Sequence, residues 1–353
     1  MIGDSCGSDI GLEFVCQTDH LVTKRSMKTL FLAVALILPL SFSVASAQLS
    51  KVTVGYASVS GAHLPAWMAK ESGIFRNNGL DVQLVYFRAG TTATMALVAS
   101  QTPITQVAGS LIVNAGLRGA DTVMVGGGSV IAEYWLMTRP HIKTAEQLKG
   151  GSVAIATFGG LADSFARIAL TRLGLVPAKD VAIVQIGALP DRLTALENGR
   201  VQAAMFNAPD NFTAQKKGLN NLLSVRVPTQ NAGVATTRAF IRESPDIVRR
   251  YVKSQVEAIH RIKTDREMGI RVLMKYVGSQ DKEILEKTYE SLSTDDHFPR
   301  KQYPTLEGIK NILEPLAQTD PKAKAAKPED FVDMSFIREL DQSGYIDSLY
   351  QKK

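Results

Sequence analysis

The sequence predicts an α/β protein of two lobes, each a parallel-type sheet flanked by helices, joined by a two-strand hinge. Three observations predict it. About 300 residues follow a short apolar leader, which suits two domains better than one. Those residues alternate short apolar runs with amphipathic stretches, the rhythm of strand–helix–strand units. The rhythm runs through once, pauses, and restarts.

In the first half, residues 53–56 read as a strand and 57–61 as a small-residue loop. Leu64, Trp67, Met68 and Ala69 share one side of a helix that Gly73 stops. Residues 80–86 alternate as a half-buried strand does. Residues 87–92 are a loop whose Thr91 or Thr92 caps a helix over 93–99. Strand 104–108, helix 111–117 and strand 122–125 follow. The second half repeats this order with strand 152–156, loop 157–160 and helix 162–173, which Gly174 closes. Strand 181–186 comes next, then a helix capped by Asp191 that carries Leu193 and Leu196, then strand 201–206.

Residues 134–138 form an apolar segment between the halves, and 222–225 and 233–236 read as crossings between lobes. One lobe is therefore drawn as 48–133 with 237–353, and the other as 134–236. Amphipathic helices begin at Pro245, a polar linker spans 321–328, and a last helix lies near 331–340.

The leader has the order of a secretory signal. Lys24, Arg25 and Lys28 precede an apolar run over 30–44 and then Ala45-Ser46-Ala47. The run falls short of the roughly 20 residues a spanning helix needs. Cleavage is expected after Ala47 and the true start at Met27. Cys6 and Cys16 both precede Met27, so a disulfide-free and unlipidated product is expected, released into the periplasm. The chain carries 40 Lys and Arg against 34 Asp and Glu, net +6. Segment 1–47 holds Asp4, Asp9, Glu13 and Asp19 against three basic residues, so the remainder is +7. That balance suits an anionic ligand. The basic residues are scattered rather than clustered with aromatics, so no nucleic-acid partner is expected.

Open parallel sheets bind ligands beyond the carboxyl ends of their strands. Those ends carry Ser58, Ser60, Gly61, Arg88, Gly90, Thr91, Thr92, Gly109 and Ser110 in the first half, with His63 close behind. The second half offers Thr157, Phe158, Gly159, Gly160 and Asn207. Helices begin just after several of these loops, so their free N–H groups favour an anion. The Arg88 fork either grips that anion or sits solvated at the surface. Gly159-Gly160 is either a ligand loop or a plain tight turn. Trp67 belongs to the core by its spacing; Trp135, beside the hinge, is core or ligand platform. Glu133 either touches the ligand or, the better reading, is simply polar at a strand start. There is no G-x-S-x-G elbow, residues 126–129 lack a G-K-[ST] ending and read as a flexible link into the hinge, and the histidines lack metal-ligand spacing. No catalytic residue, metal or cofactor is expected.

Pro65-Ala66-Trp67-Met68-Ala69-Lys70-Glu71-Ser72-Gly73-Ile74-Phe75 and Gly79-Leu80-Asp81-Val82 resemble two motifs of the type II periplasmic binding proteins, in the aliphatic sulfonate, taurine, nitrate and thiamine-pyrimidine group. Phe87-Arg88-Ala89-Gly90, Leu148-Lys149-Gly150 and Glu243-Ser244-Pro245 add to the resemblance. It covers about residues 50–290. It implies a monomer that closes two lobes on a small solute and delivers it to the membrane permease of an ABC importer. The implied ligand is a sulfonate, taurine, nitrate or carboxylate. The thiamine-pyrimidine branch has a histidine near the position of His63, and its fungal members are enzymes that consume that histidine with iron. The resemblance thus leaves open a pyrimidine-binding protein or a synthase using His63, although the cysteine-rich motif of those enzymes is missing.

Overall fold

The computed structural model describes residues 48–351. The leader, its cleavage site, Met27 and both cysteines lie outside the described residues. Ten strands form two five-stranded sheets. β1 (Ser50–Tyr56), β2 (Leu80–Tyr86), β3 (Ile104–Val107), β4 (Thr122–Gly126) and β10 (Gly233–Thr237) make the first, in the order β2-β1-β3-β10-β4. β5 (Ile131–Thr138), β6 (Ser152–Ile155), β7 (Ala182–Gln185), β8 (Ala203–Phe206) and β9 (Asn220–Pro228) make the second, in the order β7-β6-β8-β5-β9.

The sheets are mixed, which corrects the parallel-type expectation. β1 is parallel to β2 and β3, and β6 to β7 and β8. β10 runs antiparallel between β3 and β4, and β5 antiparallel between β8 and β9. The reason lies in the path of the chain. It leaves the first sheet after β4 and enters the second as β5. It returns from β9 and slots back between two strands already laid down.

Residues 222–225 and 233–236 are therefore parts of strands, not crossings, and β5 begins at Ile131 in the second sheet. The two passages are the short stretches 127–130 and 229–232. They are loops where a strand hinge was expected, and they fall a few residues before the expected lobe boundaries.

Helix spacing explains the cores. Helix Leu64–Glu71 packs on the long helix Pro245–Thr264, and Trp67 is fully buried, stacked on Tyr276 at 4.9 Å and 9°. Trp67 is thus a core residue. In the second lobe Phe165, Ala166, Ala169 and Leu170 recur at helical spacing along Leu161–Arg172 and cover its sheet. Each large side chain so buried contributes roughly 1.5–3 kcal/mol. The expected linker 321–328 instead contains helix Pro321–Ala325, anchored by the buried Ala323.

A C-terminal segment pins both passages. Gly127 N donates to the Gln302 carbonyl oxygen at 2.8 Å and Gly128 N to Gln302 Oε1 at 2.8 Å. Val130 N donates to the His297 carbonyl oxygen at 3.2 Å, and Thr305 N to Gln230 Oε1 at 2.9 Å. Gln230 Nε2 in turn donates to the Gly127 carbonyl oxygen. The passages also touch each other, Asn231 N donating to the Ser129 carbonyl oxygen at 3.0 Å. Gly128 has φ +61°, and a Cβ there would overlap the Ala232 carbonyl oxygen. Residues 126–129, expected to be a flexible link, are packed backbone on backbone.

Candidate functional site

A cavity of about 90 Å³ lies between the two lobes. Ser58, Ser60, His63, Gly90 and Leu111 line it from the first lobe. Tyr134, Thr157, Gly160, Leu189, Arg192 and Asn207 line it from the second, and Asn231 and Ala232 from the passages. The lobes are in contact around it. Gly61 N donates to the Ala208 carbonyl oxygen at 3.2 Å, and Asn207 Nδ2 to Ser60 Oγ at 3.0 Å. Farther out, Arg88 pairs with Asp191 and Lys216 with Asp281, both across the gap.

Four helices start at this cavity: Gly90–Val98, Gly109–Leu117, Leu161–Arg172 and Leu189–Glu197. Their N-caps are Ala89, Ala108, Gly160 and Ala188, and none caps its helix with a side-chain hydrogen bond. A helix start holds unsatisfied N–H groups and the positive end of the helix dipole. No N-cap side chain absorbs either. Asp163 and Asp191 stand in the first turns of the last two helices, and Gly109 N is taken by the Gln230 carbonyl oxygen, so the field at the cavity is strongest at Gly90–Val98.

Arg192 adds a full charge. It is 3% exposed, on the buried face of Leu189–Glu197 between Leu189 and Leu196. Its Nη1 donates to the Met205 carbonyl oxygen at 2.7 Å, and its guanidinium lies 5.8 Å from the centre of the Phe206 ring. Its Nε is buried without a partner. Burial pulls its pKa below the ordinary value, with Tyr134 and Asp210 opposing the shift. Burial also raises the Tyr134 hydroxyl, and it pushes Asp210 up to about 6 against the pull of Arg192. Only below about pH 6 does Asp210 become neutral and leave Arg192 still less compensated.

His63 lines the cavity from an aromatic setting, 5.8 Å from the Tyr56 ring and 6.2 Å from that of Trp67. Burial holds it near pKa 4, so it is neutral at pH 7, and its Nδ1 has no partner. Among the described residues, no three His, Cys, Asp or Glu side chains gather as metal ligands do. A pocket of about 30 Å³ shares Ser60, Asn207 and Asn231 with the cavity and takes in Glu133, Trp135 and His297.

Of the expected site residues, Ser58, Ser60, His63, Gly90, Thr157, Gly160 and Asn207 line the cavity. Gly61 is used in lobe contact, and Gly109 N donates to the Gln230 carbonyl oxygen at 2.9 Å. Ser110 is buried beside the cavity with its Oγ unpartnered. Thr92 faces solvent, and the helix expected over 93–99 begins at Gly90. Arg88 lies at the rim, 69% exposed, because Asp191 across the gap offers it a carboxylate. Asp191 accordingly is a rim residue in the first helical turn rather than a cap.

Thr91, Phe158 and Gly159 line a separate groove of about 630 Å³ outside the cavity, with Met95, Val98 and Asn114. Tyr134, Arg192 and Asn231 are the polar lining residues that the strand-end rule missed. For Arg192 a signal was present. It recurs with Leu189 and Leu196 at helical spacing, a charge on an apolar face.

Residues 45–275 match the sequence model of the NMT1-like family. A Brachyspira hyodysenteriae protein, a candidate ABC transporter periplasmic binding protein by name, is 27% identical over 172 residues, 48% of this chain. The match spans about half, 47%, of that relative. The periplasmic aliphatic sulphonate binding protein SsuA of Escherichia coli superposes with a TM-score of 0.61 at 20% identity, covering 76% of this chain and 91% of its own. The periplasmic nitrate-binding protein NrtA of Synechocystis PCC 6803 superposes with a TM-score of 0.68 at 12% identity, covering 84% and 89%. These likenesses give the fold, that of the periplasmic binding proteins.

Proposed function

The chain belongs to the NMT1-like family, and we propose that it is a solute-binding protein that closes its two lobes on a small organic anion. It hands that anion to the membrane permease of an ABC importer and works in the periplasm after loss of its leader. One observation carries the reading: four uncapped helix starts and the buried Arg192 converge on a cavity that both lobes line. Such an arrangement costs stability when empty and returns it when an anion fills it. The names of the relatives support sulfonates and nitrate as the first anions to try.

Calorimetry and thermal shift against sulfonates, nitrate, carboxylates and pyrimidines test the proposal. A ligand at a hundred times its Kd stabilises by about 2.7 kcal/mol, which raises the melting point visibly. Arg192→Met keeps much of the volume and removes the charge; replacing a poorly compensated buried ion by an apolar side chain is often neutral for folding. Binding should weaken roughly 10- to 100-fold, the worth of hydrogen bonds to a charged group. Silence across the anion panel, or undiminished binding by Arg192→Met, removes the support.

A second reading rests on His63, whose unpartnered Nδ1 at the cavity wall could meet a pyrimidine nitrogen. As a binding protein the chain then prefers the pyrimidines of the same panel. As a synthase it loses mass at His63 when incubated with iron, and an intact His63 peptide removes that version.

A further inference from the structure

We propose that the groove beside the cavity is its second compartment, and that the captured anion carries an apolar substituent lying there. The inference rests on the anion-capture reading and extends it. The cavity alone, at about 90 Å³, has room for an ionic head and little else. Drug-sized ligands occupy roughly 300–1,000 Å³. The groove adds about 630 Å³.

The two spaces share the Leu111 side chain as a wall. Consecutive residues pass from one to the other, from Gly90 to Thr91 and from Thr157 to Phe158. The groove runs along the first lobe between helices Gly90–Val98 and Gly109–Leu117, and Phe158 and Gly159 of the second lobe close one side of it. Asn114 Nδ2 reaches the Gly159 carbonyl oxygen at 3.5 Å across the same seam.

The groove surface is apolar without being covered. Helix Gly90–Val98 buries Ala93, Ala96 and Leu97 on its inner face. On its outer face Met95 is 70% exposed and Val98 49%, and Phe158 opposite is 51% exposed. Among the described residues, these are three of the four large exposed apolar side chains, gathered in one place. Isolated exposed apolar residues are ordinary; a cluster marks a binding surface. A methionine facing a phenylalanine suits alkyl or aromatic groups. The joint site therefore takes an amphipathic anion, with its charge at Arg192 and its chain running past Leu111 between Met95 and Phe158.

The test is a calorimetric length series on the intact protein, with alkanesulfonates and alkanoates from two to eight carbons. A fully buried methylene is worth about 0.8 kcal/mol, or about fourfold, and a half-open groove should return about twofold per carbon. Affinity should rise at least tenfold along the series. Met95→Asp, an exposed position outside the cavity, should abolish the rise and leave the two-carbon members bound as before. Val176→Asp, at the fourth exposed apolar residue, should change nothing. Short anions that bind with a flat length series overturn this inference and leave anion capture standing. If no member of either length binds, capture itself fails and the groove has no such ligand. A flat series together with a dimer that Met95→Asp dissolves overturns the proposal in favour of self-association.

Discussion

His297 shows how burial of one imidazole ties stability to acidity. Its Nε2 lies 3.1 Å from Ser129 Oγ, at the first passage between the lobes. Burial, with the Arg226 and Lys263 charges adding to it, holds its pKa near 4. An unfolded chain protonates the same ring near 6.5. The folded state thus keeps the full contribution above pH 6.5 and loses it as pH falls toward 4. By pH 5 the loss is about 2 kcal/mol for one ring. His63 acts in the same direction. Asp210 acts against them: its folded pKa is raised to about 6, so it favours the folded state on the acid side and penalises it at neutral pH. His297→Gln should therefore lose about 2 kcal/mol less than the native protein between pH 7 and pH 5, measured by urea unfolding. Equal losses would mean that the folded ring is solvated.

At the scale of elements, the passages are the part most exposed to substitution. Gly128→Ala demands a left-handed residue and a Cβ where the Ala232 carbonyl oxygen already sits. It should cost roughly 1–3 kcal/mol or more, and guanidinium unfolding should show the drop. A midpoint within experimental error of the native one would show that the passages are looser than their packing. The same elements mark where the sequence was readable. β2 falls on residues 80–86 as the alternation implied, because a half-buried strand writes its pattern in polarity. β10 was not readable as a central strand. Gly-Val-Ala-Thr-Thr is short and small, and its neighbours β3 and β4 lie far earlier in the chain. Part of the candidate site followed from strand ends alone, as with Ser60, Thr157 and Asn207. Arg192 and Tyr134 did not, because one lies in a helix and the other within β5, and only tertiary folding turns them to the same space.

The whole molecule is held in contact across its cleft by few bonds. Outer pairs, Arg88 with Asp191, Lys216 with Asp281 and Arg226 with Asp296, join exposed cations to the opposite lobe. Exposed pairs of this kind are individually weak and screened by salt. They bias closure without enforcing it, which a capture-and-release protein requires. Arg88→Ala should weaken ligand binding about 1.5- to 5-fold in dilute buffer. The difference should vanish near 1 M salt, where screening acts within about 3 Å. Small-angle scattering should show the unliganded variant more open than the native protein. Identical profiles at low salt would count against a latch.

The return of the chain to the first sheet also dictates an order of assembly. The second lobe is one continuous stretch, 131–228, and can complete its sheet from its own residues. The first lobe waits for β10, and thus for the whole intervening stretch to bring Gly128 beside Ala232. A folded second lobe does that by acting as a staple, replacing a long flexible loop with a short one and lowering the entropy of closure. The two tryptophans report on the lobes separately, Trp67 on the first and Trp135 on the second. In refolding of single-tryptophan variants, the Trp135 signal should settle before that of Trp67. Phe165→Ala, which cuts into the second core, should slow the Trp67 phase from a distance. Simultaneous signals, or a Trp67 phase indifferent to Phe165, would mean that the lobes form in one step.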